Sequence, residues 1–226
     1  NMTAQEIYEA LVARGVTRIF HANSVKTSVS QLRLGGLASR QRVEHTGLPQ
    51  TNQYTDNLDR QLGIWNDIFL DTVDIHSQIS DRNKYGPVLL EMSVEMLRNL
   101  PASSRVLITR SNPSKWQVGA SEADCYFLHK SELDKGFVVG NFDHMLVIRT
   151  PTGLIPFANF LQRITLDEPR LINGESSEHV TGKAALLSAA ATNDIQVNIV
   201  RRNCTNCSCI TSYAEKNTRI PWFFVP

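Results

Sequence analysis

Short strand-like segments, separated at irregular intervals by short helical segments, constrain the fold of this chain more than any other feature. Alternating apolar positions rich in β-forming residues predict about seven strands, which lie at 17–21, 73–76, 85–92, 104–109, 143–149, 160–166 and 195–200. Apolar residues at helical spacing predict helices at 3–14, 25–34, 61–72, 93–100 and 176–192. Because the strands and helices do not alternate regularly, the pattern favours an α+β fold over a wound parallel sheet.

Length and charge balance narrow the class of protein further. The 226 residues suit one domain, which we expect to span 2–226. Lysine and arginine total 23 against 22 aspartate and glutamate, which excludes a strongly basic, histone-like protein but leaves room for a local basic surface. No apolar run reaches the roughly 18 residues of a membrane helix, and the first residues lack the pattern of a secretory peptide. We therefore expect a cytoplasmic protein with no membrane partner.

Residues 20–40, FHANSVKTSVSQLRLGGLASR, contain the most specific local pattern. A predicted strand ends at His21, a helix follows, and Gly35-Gly36 returns the chain to Ser39 and Arg40. A histidine at a strand end, close to the backbone N–H groups of the next helix, suits the sugar and phosphate of a nucleotide. A structural histidine and an ordinary glycine helix stop account for the same residues, so both interpretations stay open at this point.

This segment resembles the opening of the DarT-type DNA ADP-ribosyltransferases, in which an aromatic-His strand leads into a helix and a Gly-Leu-Leu-Ser-Arg-like return. Looser similarity in VLLEMSVEMLRNL and MLVIRTPTGLIPFANFLQRITL extends the resemblance to roughly 17–167. The resemblance implies an ADP-ribosyltransferase-like α+β fold, with two small, mainly antiparallel sheets that clasp a cleft and short flanking helices. It also implies an NAD-dependent mono-ADP-ribosyltransferase that modifies a base of single-stranded DNA or RNA, a toxin role and an antitoxin-type protein partner.

The resemblance also implies roles for individual residues. The NAD contacts, by position in the motif, are His21, Asn23, Ser24, Ser39 and Arg40. Arg42 and Arg60 are both candidates for the catalytic arginine. The family's acid is a glutamate at the head of a late strand that leads to a Val-Pro-like turn, and this chain departs from that pattern. The substitute candidate is Asp143, at the head of MLVIRT, with Glu91, Glu175 and Glu178 as alternatives.

These residue types suit the chemistry that the resemblance implies. Cleavage of the glycosidic bond of NAD passes through an oxocarbenium-like state, which a carboxylate stabilises while it positions or deprotonates the acceptor. An arginine binds the pyrophosphate, and a histidine holds the ribose. A transferase of this class therefore needs a carboxylate near the nicotinamide ribose.

Acidic residues in and after the predicted helix 61–72 support a different hypothesis. Asp67 and Asp71 lie one turn apart on the polar face of that helix, and Asp74 and His76 share one face of the strand predicted next. Carboxylates with a histidine are typical ligands of Mg²⁺ or Mn²⁺, so a metal-dependent nuclease or hydrolase is the alternative function. A solvated acidic helix face explains the same aspartates.

Three of the four cysteines lie close together near the C-terminus, as Cys204-x-x-Cys207-x-Cys209. In a cytosolic chain this spacing indicates a metal site before a disulfide, and zinc with Cys125 or a histidine as the fourth ligand is the candidate. Such a site would fasten a C-terminal extension, 201–226, to the rest of the chain. A zinc-stapled binding module without catalytic activity is a third hypothesis, and reduced thiols without metal explain the same residues.

One further group combines basic and aromatic residues. Arg110, Lys115 and Trp116 flank a predicted turn at Asn112-Pro113. Arginine and an aromatic ring together stack on bases and bind phosphate, so we predict a nucleic-acid contact here. Ordinary surface charge beside a core tryptophan is the alternative.

Overall fold

The computed structural model describes residues 1–77, 84–205, 208–214 and 219–226. Within them the chain forms the predicted α+β fold. The strands are β1 Arg18–Asn23, β2 Gly36–Ala38, β3 Asp67–Leu70, β4 Val88–Ser93, β5 Arg105–Ile108, β6 Leu146–Arg149, β7 Leu154–Pro156, β8 Leu161–Glu168 and β9 Ile199–Asn203. The helices are α1 Ala4–Val12, α2 Val25–Leu34, α3 Arg40–His45, α4 Asp56–Gln61, α5 Glu122–Cys125, α6 Lys130–Gly136, α7 Ser177–Ala191, α8 Cys209–Ala214 and α9 Arg219–Phe224. Short 3₁₀ helices occupy Ile75–Ser77, Val94–Asn99 and Pro113–Lys115.

The strands of the described residues form two larger sheets and one small pair. The first sheet has four strands in the order β1-β4-β8-β9, antiparallel except for the parallel pair β8-β9. The second has three antiparallel strands in the order β3-β6-β5, and β2 pairs separately with β7. A backbone bridge between Phe20 and Asp71 joins the two larger sheets. The prediction of small, mainly antiparallel sheets with short flanking helices is confirmed.

The first two helices form where local sequence signals predict them. The Thr3 hydroxyl accepts the Glu6 N–H at 3.2 Å and the Glu6 carboxylate accepts the Thr3 N–H at 2.7 Å, which completes a capping box for α1. The Ser24 hydroxyl caps α2 by accepting the Thr27 N–H at 3.2 Å. Gly35 ends α2 in the left-handed region, at φ 73°. These signals fix the position of α2, which forms one side of the candidate site.

Two predicted elements near residue 70 are wrong. The predicted helix 61–72 is absent, because Asp67–Leu70 forms strand β3. Ile68 and Leu70 contribute to the large core, whereas Phe69 packs against a second apolar cluster. A strand that is covered on both faces loses its alternating pattern, and its apolar residues then imitate one face of a helix. The predicted strand 73–76 is also absent, since a 3₁₀ helix begins at Ile75.

In the large core, α7 packs on β8 of the first sheet and on α2, whereas α1 packs on β5 of the second sheet and on the 3₁₀ helix Val94–Asn99. Tyr213, Phe223 and Phe224 from the C-terminal helices belong to the same core, so the described C-terminal residues pack onto the fold. The second cluster lies on the other side of the second sheet, around Trp116 and Val147. Among the described helices, none combines the length and the apolar character that crossing a membrane requires.

Candidate functional site

A cleft opens where the ends of β1 and β3 approach α2 and the loop after α3. The cavity that water can enter measures about 130 Å³, and the cleft is open to solvent at its mouth. Since ligand pockets usually measure about 300–1,000 Å³, a ligand of dinucleotide size would extend from this cavity into the open mouth. The polar and charged residues of its wall include His21, Asn23, Gln31, Ser39, Arg40, Asp59, Asp67 and Asp71.

His21 stands in the cleft wall with both ring nitrogens held by the protein. Nδ1 lies 2.8 Å from the Phe69 carbonyl oxygen, which only accepts, so the partners assign the proton to Nδ1. Nε2 is then the acceptor, and the side-chain amides of Asn23 and Gln31 donate to it at 3.3 and 3.2 Å. Burial lowers the pKa of His21, the bond to Phe69 opposes this in part, and the charge of Arg40 lowers it further. His21 is therefore a neutral ring in a fixed orientation.

Gln31 is a cleft residue that sequence reasoning missed, because no local motif marks it. Its side chain is buried, and its amide nitrogen also donates to the Ala38 carbonyl at 3.3 Å. Its Oε1 atom is buried and has no hydrogen-bond partner among the described residues. An unpaired buried acceptor is costly, and this one lies beside His21 in the wall of the cleft. A ligand that donates a hydrogen bond would satisfy it.

Asn23 and Ser24 connect β1 to α2, and they differ in role. Asn23 lines the cleft, and its Oδ1 accepts the Ser24 N–H at 3.0 Å, which directs its amide nitrogen toward His21. Ser24 lies outside the cleft lining, and its hydroxyl is 2.6 Å from that of Thr51. Ser24 thus fastens the loop after α3 to the start of α2.

The predicted return segment places Ser39 in the cleft wall, but its hydroxyl is engaged within the protein. It accepts the Arg42 N–H at 3.1 Å and donates to the Asn66 side chain at 2.7 Å. Arg42 and Arg60, the candidates for the catalytic arginine, both lie outside the cleft lining. Arg60 forms an ion pair with Glu44 at 2.8 Å.

Arg40 is the arginine that lines the cleft in the described residues. Its guanidinium pairs with Asp56 at 2.9 Å, donates to the Thr51 carbonyl at 3.0 Å and lies 5.0 Å over the Trp65 ring. Its Nε is buried and has no hydrogen-bond partner within the described ranges. A fixed guanidinium with a spare donor is suited to phosphate oxygens.

Asp59, Asp67 and Asp71 are the carboxylates that line the cleft in the described part of the chain. The Nε of Arg149 lies 3.0 Å from both carboxylate oxygens of Asp67. Asp59 accepts the Thr55 hydroxyl at 3.1 Å. Asp71 makes no side-chain hydrogen bond or ion pair within the described residues, so both of its carboxyl oxygens are available to a ligand.

Asp71 directly follows β3, and its backbone is held by two hydrogen bonds to Phe20, at 2.9 and 2.8 Å. Burial raises the pKa of Asp71 to about 7, although the charge of His76 opposes the shift. A carboxyl that titrates near neutrality in a cleft is typical of an acid–base catalyst. Sequence reasoning assigned Asp71 to a metal site on a helix, because nothing local indicates that it faces a cleft with His21.

Asp143, the acid predicted from the sequence, lies outside the cleft lining. Its carboxylate accepts the Lys115 ammonium at 2.7 and 2.9 Å and the Asn112 N–H at 3.0 Å. The bond from Lys115 is the main cause that lowers its pKa. The alternative acids also lie outside the lining; they are Glu91, Glu175 and Glu178.

The predicted metal site of a nuclease or hydrolase is not assembled by the described residues. Asp67 and Asp71 line the cleft, whereas Asp74 lies on another surface, where it pairs with Arg202 at 2.7 Å. His76 is buried and lies 3.1 Å from Asp74, on the side of the chain away from the cleft lining. The helix and strand that were predicted to align the four residues are absent.

The three residues predicted to contact nucleic acid lie in different environments: two are in ion pairs and one is buried in a core cluster. Arg110 pairs with Glu132 at 2.9 Å. Lys115 is exposed, and its ammonium binds the carboxylate described above. Trp116 is buried in the second cluster, edge-on to the Tyr126 ring at 5.1 Å. The tryptophan is therefore a core side chain, as the alternative interpretation expects.

The cysteines fall into two groups. Cys204 and Cys209 are buried in the large core, and Cys207 lies outside the described residues. Cys125 is buried in the second cluster. It is therefore not the fourth ligand of a site around Cys204 and Cys209.

No protein-family model and no curated protein sequence matches this chain. Solved structures of DarT from Thermus sp. 2.9 are similar to it. The complex of that protein with ADP-ribosylated single-stranded DNA has a TM-score of 0.52 at 12% identity, over 83% of this chain and 95% of that chain. Its complex with NAD⁺ has a TM-score of 0.49 at 13% identity, over 83% and 96%. The first comparison establishes the fold: this chain has the fold of a DarT ADP-ribosyltransferase.

Proposed function

We propose that this chain is an NAD-dependent mono-ADP-ribosyltransferase that transfers ADP-ribose to a base of single-stranded DNA or RNA. One observation carries the proposal: the Asp71 carboxyl, without a partner in the described structure and with a pKa raised to about 7, lies in one cleft with the His21 network. The fold supports it, since the similar DarT structure holds ADP-ribosylated single-stranded DNA. We assign the acid to Asp71 rather than to Asp143.

The donor site of this proposal uses the residues around His21. The neutral ring, the Asn23 amide and the free Oε1 of Gln31 present a fixed set of polar atoms to the nicotinamide ribose or carboxamide. Arg40, with its spare Nε, is placed to bind the pyrophosphate. Ser24 and Ser39 hold the surrounding backbone in place, as their caps on α2 and α3 indicate.

The reaction breaks the bond between the ribose C1 and the nicotinamide nitrogen, and nicotinamide leaves with the bonding electrons. The ribose passes through an oxocarbenium-like state, which the ionised Asp71 stabilises. A nitrogen or oxygen of the acceptor base then bonds to C1, and its proton passes to Asp71 as the general base. A carboxyl with a pKa of about 7 is a stronger base than an ordinary aspartate.

Transfer of labelled ADP-ribose from NAD to single-stranded DNA and RNA oligonucleotides tests the proposal. The wild-type protein should label at least one of them, and Asp71→Asn should lower the rate by about 100-fold or more. Asp143→Asn is the matched control, because it removes a carboxylate outside the cleft lining, and it should retain the wild-type rate.

Two results would overturn parts of the proposal. Absence of both NAD binding and label transfer in the wild-type protein would refute the function. Full activity in Asp71→Asn with loss in Asp143→Asn would return the acid to Asp143. The toxin role, the antitoxin-type partner and the cytoplasmic location stay predictions from the sequence.

A further inference from the structure

A second cluster of reactive side chains lies away from the cleft, in the core beneath the C-terminal helices. His76, Asp167 and Cys209 each offer one ligand atom, and these atoms all lie within 4.8 Å of one another. All three side chains are buried. They come from the 3₁₀ helix after β3, from β8 and from α8, so only the folded chain brings them together.

His76 has one contact that is typical of a metal-bound histidine. Its Nδ1 lies 3.1 Å from Oδ1 of Asp74, a carboxylate partner of the kind that orients such rings. On the other side of the ring, Nε2 is hydrogen-bonded to the Gly86 carbonyl, a bond that an ion would replace. Its Nε2 lies 3.7 Å from Oδ2 of Asp167. Nitrogen and oxygen ligands of a tetrahedral zinc ion are separated by about 3.4 Å, given bonds of about 2.0–2.1 Å. A small adjustment therefore accommodates an ion between them.

The Asp167 carboxylate is held on its other sides by donors. Arg202 Nε donates to Oδ1 at 2.6 Å and the Tyr213 hydroxyl donates to Oδ2 at 2.7 Å. Arg202 also pairs with Asp74, so one guanidinium links the Asp167 carboxylate to the Asp74 carboxylate that contacts His76. Such outer contacts orient the ligands of a metal site.

Cys204 is the candidate for the fourth ligand. It is buried directly after β9, in the same core cluster as Cys209 and Tyr213. Its sulfur lies outside the group of three ligand atoms that are within 4.8 Å of one another, so the fourth bond requires the Cys204 thiol to move toward the ion. Two thiols, an imidazole and a carboxylate form a mixed set of sulfur, nitrogen and oxygen ligands, which zinc prefers.

We propose that His76, Asp167, Cys204 and Cys209 bind a structural Zn²⁺ ion, which fastens the C-terminal helices to the first sheet. Without the ion, Nε2 of His76 has a hydrogen-bond partner in the Gly86 carbonyl at 3.0 Å. Binding requires an unprotonated Nε2 and thiolate sulfur atoms, so uptake of the ion releases protons to solvent. Four protein ligands leave no open position, which assigns the site to stability rather than catalysis.

The test measures metal bound to the purified 226-residue chain. Elemental analysis should find one Zn²⁺ per chain, and replacement by Co²⁺ should produce thiolate–cobalt charge-transfer absorption. Cys209→Ser and His76→Gln should each lose the zinc, and Asp74→Asn should bind it about 10–100-fold more weakly. Cys125→Ser is the matched control, because it removes a buried cysteine of the second cluster, and it should keep the full zinc content.

The wild-type measurements decide the outcome even where a variant does not fold. Absence of zinc from the wild-type protein, together with no thiolate–cobalt absorption on addition of Co²⁺, would overturn the proposal. Full zinc content in folded Cys209→Ser, or equal loss in Cys125→Ser, would also overturn it. None of these results depends on NAD or on transferase activity, so the zinc site and the proposed function fail separately.

Discussion

Replacement of Asp71 by asparagine should stabilise the protein while it removes the proposed activity. The folded structure raises the pKa of this carboxyl from 3.8 to about 7, so the fold favours the neutral form. The stability that the neutral carboxyl provides is complete below the unfolded-state pKa and is lost as the pH rises toward about 7. Asparagine has a similar shape and no charge, and it avoids this loss.

The size of the effect follows from the two pKa values. Each pKa unit corresponds to about 1.4 kcal/mol, which sets an upper limit of about 4 kcal/mol above neutral pH. Because the side chain is partly open to the cleft, water screens the charge and we expect a gain of about 2 kcal/mol. In a chain of this length, that gain corresponds to about 4–8 °C in Tm.

Urea unfolding of wild type and Asp71→Asn, measured from about pH 4 to about pH 8, checks the expected curve. The difference in unfolding free energy should be near zero at the acidic end and should grow as the pH rises to neutrality. Asp143→Asn provides the contrast, since its carboxylate is stabilised by Lys115 and its loss should not stabilise the fold. A difference between wild type and Asp71→Asn that does not change with pH would refute the burial argument.

Three further substitutions, one of them with a matched control, test individual contacts. Gln31→Leu removes an unpaired buried oxygen and an amide donor of the cleft. NAD affinity measured by calorimetry should fall by about tenfold, and unchanged affinity would contradict a role of Gln31 in NAD binding. Gly86→Ala places a Cβ 2.4 Å from backbone atoms at the end of β1, at φ 123°, and should lower the unfolding free energy by about 3 kcal/mol. Gly47→Ala is the control, because its Cβ meets no atom although φ is 70°, and it should lower the unfolding free energy by about 1 kcal/mol. Equal losses in the two variants, measured by urea unfolding, would refute the steric argument. Arg149→Met leaves the buried Asp67 carboxylate without its cation and should destabilise the protein by about 3–5 kcal/mol; a Tm equal to wild type would contradict this.

Local signals in the sequence were sufficient for the elements beside the cleft. The cap at Ser24 and the left-handed Gly35 position α2 through neighbours in the chain, so both ends of that helix are predictable. Strand β3 was not predictable from local signals, because Phe69 contacts a different apolar cluster from the one that Ile68 and Leu70 contact. The apolar pattern of that segment depends on long-range packing on both faces.

The candidate site was predictable where it depends on the motif and not where it depends on burial. The resemblance identified His21 and Arg40, and both line the cleft. It did not identify Asp71, whose raised pKa results from burial in the fold. In the same way, cysteine spacing indicated Cys209 but not His76 or Asp167, whose ligand atoms lie close to its sulfur only in the folded chain.

The pH dependence of ADP-ribose transfer from labelled NAD to single-stranded DNA tests the central claim most directly. For the wild-type protein, kcat/KM should rise with pH through an apparent pKa of about 7 and then level off, because Asp71 must be ionised. Asp71→Asn should retain NAD binding but lose this rise together with most of the transfer. A wild-type profile that is flat near neutrality, or an Asp71→Asn variant with the wild-type rate, would contradict the account.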